Sequence, residues 1–379
     1  MQTLSLEQRI KAFARLGGIL LQAAGEDATG RRDDLATGRA GDRATRGRGD
    51  GARKRQGDQA LAARLLTAMP LSHRANPWLD EENVRHALRA LGRVLTEETL
   101  RQWTDRYTQL KDYRGGREVL VIMAGNIPLV GFHDMLAVLI TGHRLIARTS
   151  TRDAGLHRLT AEILTAVEPA FGPLIRFTRE RPPRADAVIA TGSDNTARYF
   201  EYYYRNVPAI IRRNRNSLAV LDGRESDGEL AGLAEDIFRY YGLGCRSVSK
   251  LFVPEGYDLS RLLPFFHRHR QVTRLPAYRH NLDYQRAVFG MSGQPFLDAG
   301  NLLLTVDTAL ASPIGVLYYE TYKDPSYIST YVGTYVDKIQ CITAREGVFP
   351  GAIPLGTAQL PELWDYADGV DTIKFLTER

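Results

Sequence analysis

One thiol stands where it could do chemistry. Tyr240–Lys250, YYGLGCRSVSK, sets Cys245 between glycines and a Ser/Arg-rich turn. The apolar spacing of Leu230, Leu233, Ile237 and Tyr240/Tyr241 predicts an amphipathic helix over Glu229–Tyr241, and Leu251–Val253 predicts a strand ending in Pro254-Glu255-Gly256. A thiol where a helix gives way to a Gly-flanked loop is accessible and close to backbone N–H groups, which lower its pKa and can hold an oxyanion. The competing reading is a buried free cysteine acting as a small hydrophobe. A second polar group, Asn126, lies in Ala124-Gly125-Asn126-Ile127-Pro128, directly after an apolar run; on its own it reads as a turn-forming Asn. Cys341, inside an apolar run, reads as inert packing.

These residues need a frame. Glu118–Met123 (EVLVIM) predicts a strand, Leu129–Ile140 a helix, Arg144–Ala147 a strand and Ala154–Val167 a helix. Strands at Leu174–Phe177 and Ala187–Ala190, a helix at Asn195–Tyr204 and a strand at Ser217–Leu221 follow. Strands with little alternation, separated by helices, predict an α/β fold with a parallel sheet covered on both faces. Ligands bind such sheets beyond the carboxyl ends of the strands, where Asn126, Arg148-Thr149-Ser150 and Thr191-Gly192-Ser193 fall. Ser312–Tyr319, Lys338–Thr343 and Thr372–Leu376 predict strands of a second α/β lobe carrying Cys245. Upstream, Ser5–Gln8 has the form of a capping box, Asn76-Pro77 marks a break, and Thr96 a helix cap.

The 379 residues carry a net charge of +6, but residues 31–55 hold nine Lys/Arg against four Asp, a net +5, leaving +1 for the remainder. The basic excess therefore sits in one low-complexity segment. Residues 27–57 contain one leucine as their sole large apolar side chain and are expected to be disordered. Without aromatics for stacking, that segment gives no reason to expect a nucleic-acid partner. Two cysteines make no disulfide framework, and no run is apolar over a membrane-spanning length, so a cytoplasmic protein is expected.

From about Val119 onward the chain resembles the acyl-CoA reductases, the fatty-acyl reductases known from luminous bacteria, within the aldehyde dehydrogenase superfamily. The stretches VIMAGNIPLVGFHDMLAVLITGHRLIARTS, DAVIATGSDNTARYFEYYYRNVPAIIRRNRNSLAVLDG, EDIFRYYGLGCRSVSKLFVPEGYD and LWDYADGVDTIKFL carry the resemblance. It implies a Rossmann-like cofactor domain, a thiol domain, an oligomerisation segment and hence a homo-oligomer, NADPH as hydride donor, and a fatty acyl-CoA or other acyl thioester as substrate. By the same resemblance Cys245 is the acylated nucleophile, and Asn126 the amide facing it. Thr191-Gly192-Ser193 covers the cofactor pyrophosphate, and Arg148 lies near the adenine ribose. Arg148 with Thr149 and Ser150 would suit a 2′-phosphate. No metal ligand set is assigned.

Two departures stand out. The superfamily's general-base glutamate is replaced by Ile211 in Ile211-Arg-Arg-Asn-Arg-Asn216, and its ribose-binding glutamate has no equivalent in Ala311-Ser-Pro-Ile-Gly-Val316. Without a base to activate water, an acyl-cysteine is left for hydride or a thiol rather than hydrolysis. That argues against an acid-forming aldehyde dehydrogenase; the intact Cys245/Asn126 pair argues against a non-catalytic nucleotide-binding scaffold. His133 and Glu235 are weak substitute bases. Arg212, Arg213 and Arg215 read equally as phosphate ligands or a solvated strand edge. The aromatics of Tyr199–Tyr204 read as core before acyl channel. The expected division is a helical region 1–110 with the insert 27–57, a dinucleotide-binding domain 111–238, a thiol domain 239–348, and a C-terminal segment 349–379 open to oligomerisation.

Overall fold

The apolar run Glu118–Met123 forms β1, the centre of an all-parallel five-stranded sheet with β2 (Arg144–Thr149), β3 (Ile175–Phe177), β4 (Ala187–Thr191) and β5 (Ala209–Arg212), in the order β3-β2-β1-β4-β5. Its side chains alternate between two apolar clusters: Val119, Val121 and Met123 join one, Leu120 and Ile122 the other. A strand buried on both faces has no polar side, which is why the sequence reads as a continuous apolar run. The computed structural model describes residues 4–26, 49–179 and 184–378.

This sheet belongs to the first of two units, Met1–Arg212 with Glu362–Tyr366 and Val370–Arg379. Up to Arg212 its helices are α1 (Leu6–Ala23), α2 (Gly49–Ala75), α3 (Glu81–Val94), α4 (Glu97–Thr104), α5 (Phe132–Ile140), α6 (Leu156–Val167) and α7 (Asp194–Tyr203). The capping signals hold: Ser5 and Gln8 satisfy each other's backbone N–H groups, α2 stops before Asn76, and Thr96 accepts from Thr99 N. Helix α2 begins at Gly49, so residues 49–57 of the segment expected to be disordered are helical; residues 27–48 lie outside the described residues. The physical reason is propagation. Ala62, Leu65 and Met69 bury the body of α2, and once a helix is nucleated, good formers such as Ala52 to Gln56 extend it without burying anything.

The C-terminal Thr372–Leu376, expected to be a strand, is a helix over Thr372–Thr377 capped by Asp371. The β-branched Thr and Ile suggested a strand, but Thr372, Ile373, Leu376 and Thr377 are the buried positions, which is helical spacing. The segment expected for oligomerisation also packs within its own chain: Trp103 Nε1 donates to Tyr366 Oη at 2.8 Å, and Tyr107 Oη donates to Asp371 at 2.8 Å.

The second unit, Arg213–Pro361 with Ala367–Gly369, holds a seven-stranded sheet. Its strands are β6 (Asn216–Val220), β7 (Val248–Pro254), β8 (Leu297–Asp298), β9 (Leu303–Val306), β10 (Val316–Tyr322), β11 (Ile339–Ala344) and β12 (Ile353–Pro354). They are ordered β12-β11-β6-β7-β10-β9-β8, and each pairing is parallel except β8 with β9. The helices are α8 (Asp227–Phe238), α9 (Leu263–His267), α10 (Pro276–Ser292) and α11 (Pro325–Thr334). Because β6 lies between β11 and β7, the change of sheet falls after Arg212, upstream of the step expected at 238/239. No helix among the described residues is long and apolar enough to cross a membrane.

Candidate functional site

In the first unit three strand ends lie side by side, because β2, β1 and β4 are neighbours. Met123 is level with Thr149 across the β1–β2 pair, and Ile122 with Ala190 across β1–β4. The expected residues Asn126, Arg148-Thr149-Ser150 and Thr191-Gly192-Ser193 therefore share one carboxyl edge. Arg148 is exposed there, and Thr149 and Ser150 are half-buried. Ser150 Oγ accepts from Arg152 N at 3.2 Å, and Ser193 caps α7 by accepting from Thr196 N at 3.3 Å. Parallel-sheet edges of this kind, with a helix N-terminus pointing to them, favour a bound phosphate.

The turn carrying Asn126 is braced from two directions. Asn76, at the end of α2, donates from Nδ2 to Arg152 O at 2.9 Å and to Gly125 O at 3.4 Å. His157 on α6 accepts Gly131 N–H at its Nε2 (3.1 Å) and so carries its proton on Nδ1, which donates to the buried Asp153. Gly125 fits only as glycine: a Cβ there would lie 2.8 Å from Asp153 N.

In the second unit α8 ends at Phe238, earlier than the spacing predicted. Tyr240, Tyr241 and Gly242 follow in left-handed conformations (φ 56°, 58° and 74°). Two non-glycine residues in that region cost strain, which marks the turn as held by its surroundings. Cys245 comes next and is exposed. Ser247 N–H donates to Gly244 O at 3.0 Å, closing the turn, and the buried Ser217 donates from Oγ to Cys245 O at 3.0 Å. Cys341 lies on the other side of Ser217, with its Sγ 3.1 Å from Ser217 Oγ. Burial pushes the Cys341 thiol up, although Arg246 beside it acts the other way. A raised thiol pKa suits the expected inert role.

Several weaker candidates have other work. His133 hydrogen-bonds Leu363 O at 2.8 Å and packs against Trp103 and Tyr366, so it is a packed histidine rather than a base. Glu235 pairs with Arg239 at 2.6 Å. Arg212, weighed as a phosphate ligand, is buried in an ion pair with Asp134 at 2.6 Å and donates to Thr372 Oγ1 at 3.1 Å. Arg215 pairs with Asp368 at 3.0 Å. Ile211 packs into the apolar cluster of Leu120 and Val188. Of the aromatics expected to be core, Phe200 and Tyr204 are, whereas Tyr199, Tyr202 and Tyr203 are exposed. Sequence reasoning missed Ser217, Asp153 with His157, and Asn76 as a brace. Asn76 left a local signal as a helix break, and Asp153 with His157 as a pair four residues apart; Ser217 left none.

Comparison with known proteins bears on the whole. No curated protein matches the chain. Among solved structures, the P. syringae indole-3-acetaldehyde dehydrogenase AldA, in complex with NAD+ and IAA, is similar with a TM-score of 0.58 at 14% identity, over 92% of this chain and 74% of that one. An NAD-dependent aldehyde dehydrogenase from Sinorhizobium meliloti gives 0.56 at 11% identity, over 92% and 76%. An oxidoreductase from Marinobacter aquaeolei gives 0.59 at 8% identity, over 92% and 75%. At such identities the likeness is one of fold, and the fold is that of aldehyde dehydrogenases. The model of a family described as acyl-CoA reductase (LuxC) matches residues 65–262, more than half of the chain and a span that includes both Asn126 and Cys245. The chain belongs to the acyl-CoA reductase (LuxC) family, oxidoreductases acting at the aldehyde level.

Proposed function

We propose that the protein reduces an acyl thioester, a fatty acyl-CoA in the first instance, to the aldehyde, with NADPH as reductant and Cys245 as the residue acylated on the way. The observation that carries this reading is an exposed thiol on a strained turn tied to the sheet behind it, in a chain of this family. Cys245 thiolate attacks the thioester carbonyl, and the tetrahedral adduct collapses with loss of the CoA thiolate, a stable leaving group that needs little acid help. Bound NADPH would supply the hydride that turns the acyl carbon into an aldehyde carbon. The second collapse breaks the C–S bond, releases the aldehyde and returns the Cys245 thiolate. Overall, one thioester, one NADPH and one proton give aldehyde, free CoA thiol and NADP+.

The remaining assignments are parts of the same proposal. Asn126 is assigned, on the family resemblance, as the side-chain amide that donates to the oxyanion in both adducts; one such donor is typically worth ~10²–10³ in rate. The first unit is the dinucleotide-binding domain. Its residues fit the group: Gly192 and Ser193 at the N-terminus of α7 would hold the pyrophosphate, and the exposed Arg148 with Thr149 and Ser150 would hold the adenosine ribose and its 2′-phosphate. NAD+ in the P. syringae relative supports a nicotinamide nucleotide, and the absence of a carboxylate near Arg148 until Asp153 favours the phosphorylated form. With Ile211 where a base would stand, the acyl-enzyme is protected from water rather than hydrolysed.

The test is labelling with radiolabelled acyl-CoA, and NADPH oxidation with acyl-CoAs of graded length and identification of the product. Wild type should take up label at Cys245 and form aldehyde; Cys245→Ala should do neither. Stable label on the Cys245→Ala protein, or acid as the product, would overturn the proposal.

A further inference from the structure

The turn that carries Cys245 is tied to its unit through a second residue besides Ser217. Gln359, buried, donates from Nε2 to Ser247 Oγ at 3.1 Å, two residues from the thiol. Gln359 belongs to the loop that follows β12, and that loop is fastened to α8. Asp236, 1% exposed on α8, accepts Gly356 N–H at 2.7 Å with one oxygen and Ala358 N–H at 3.0 Å with the other. Close approach makes this seat specific. A Cβ on Gly232 would lie 2.8 Å from Leu355 O, and one on Gly356 (φ +87°) would lie 2.8 Å from Gly232 Cα. Glycine is required on both sides.

We propose that Asp236 and Gln359 are positioning residues for Cys245: Asp236 holds the 355–359 loop on α8, and Gln359 carries that restraint to the nucleophile's turn through Ser247. The proposal rests on the reading of Cys245 as nucleophile. Neither residue touches the reacting atoms. Their effect is on where the Gly244–Ser247 turn holds the thiol and its neighbouring N–H groups, and a misplacement of even 1 Å in such a group is costly in rate.

The seat is also sensitive to pH. Two carboxylate oxygens each accepting one N–H is the arrangement of the ionised form, and protonation converts one acceptor into a hydroxyl facing an N–H. Burial opposes ionisation and pushes Asp236 up to about 7, the two N–H donors acting against it and Glu235 adding slightly to the rise. The charged and titratable groups around Asp236 are Glu235 on its own helix, paired with Arg239, and Cys341 on β11 with Arg246 beside it. The loop is therefore held most firmly above about 7 and loosened below it.

The experiment uses the full chain. The rate of Cys245 alkylation by iodoacetamide, followed on its own peptide by mass spectrometry, is measured across a pH series spanning about 7, together with kcat and KM for acyl-CoA and NADPH. Gln359→Leu should lower the alkylation rate and kcat together, by about five- to tenfold, the worth of one hydrogen bond, with both KM values unchanged. Ser247→Ala should have the same effect, and the double variant no more than either alone. Alkylation follows the thiolate, so each rate is divided by the Cys245 thiolate fraction, read from ultraviolet absorbance against Cys245→Ala in the same buffers. Asp236→Asn should abolish the step that remains near 7, whereas a merely structural carboxylate would change the melting temperature and leave that step. Wild-type alkylation and kcat in both Gln359→Leu and Ser247→Ala, or the wild-type pH step in Asp236→Asn, would overturn the proposal. Failure of acyl-CoA to label wild-type Cys245 would instead overturn the proposed function, leaving the alkylation comparison to decide this one.

Discussion

Replacing His157 by leucine should be among the most damaging single changes outside the reacting groups. The ring is fully buried on α6, with Nε2 taking the Gly131 N–H at 3.1 Å and Nδ1–H meeting Asp153, itself 3% exposed. Leucine fills much of the same space and offers neither group. The Gly131 N–H is then buried without its acceptor, a loss of about 1–3 kcal/mol. Asp153 loses its side-chain donor, and breaking a buried pair from one side typically costs ~3–5 kcal/mol. Relaxation keeps these from adding fully, so about 3–5 kcal/mol is expected, against a total of roughly 5–15 kcal/mol for a typical domain. Urea unfolding measures it through the midpoint and slope. The double variant Asp153→Leu/His157→Leu removes the stranded carboxylate and should recover about 1–2 kcal/mol of the loss, leaving without their side-chain acceptors the Gly131 N–H and the residue-157 N–H that Asp153 Oδ2 accepts at 3.4 Å. A single variant destabilised by less than ~1 kcal/mol, or a double variant no more stable than the single, would refute the account. Because Gly131 closes the turn that begins at Asn126, any folded fraction should also show a lower kcat.

Arg148→Ala should raise the KM for NADPH about 10–150-fold, the worth of a charge-assisted contact of ~1.5–3 kcal/mol, and scarcely change that for NADH. Equal losses toward both cofactors would show that Arg148 does not read a 2′-phosphate. Stability should carry a signature of Asp236 opposite in sense to activity. Its folded value of about 7 lies above the ordinary 3.8, so between those limits the folded state holds a proton that the unfolded state has released. Stability from this group is therefore present at low pH and lost as pH rises through the window toward about 7, while the turn it supports tightens. Asp236→Asn should remove that slope from the urea midpoint against pH; an unchanged slope would place the titration elsewhere.

What the sequence made legible depended on whether the signal was local. β1 reads residue for residue as Glu118–Met123, because burial on both faces leaves a continuous apolar run, here of strand length and rich in β-branched residues. The caps at Ser5 and Thr96 were equally local, each needing only a partner three residues on. The sequence also predicts a strand at Ser217–Leu221, one residue off the observed Asn216–Val220, but not its sheet, because pairing with β7 and β11 is decided by chain far from it. The short β5, four residues with two of them in the arginine-rich run's shadow, was missed. Arg212 shows the same limit in a side chain. Its neighbours in sequence made it look like part of a basic edge, and its actual partners are Asp134 and Thr372, 78 and 160 residues away.

The groups proposed for chemistry and those proposed to hold them differ in the same respect. Cys245, Asn126 and Arg148 stand at the ends of elements, where packing gives no reason for their type, so their character shows in the sequence alone. Ser217, Asp236 and Gln359 are ordinary polar residues until their partners are known. Ser217 reaches Cys245 across 28 positions and Gln359 reaches Ser247 across 112. A buried polar side chain must find a hydrogen bond, and with a partner so distant no local pattern can announce it. Burial was the one property that could have raised the question, since Asp236 falls on the same face of α8 as Leu233 and Ile237 rather than on its polar side. A carboxylate in an apolar stripe is costly unless it is satisfied. That position asks for donors, and Gly356 and Ala358 supply them.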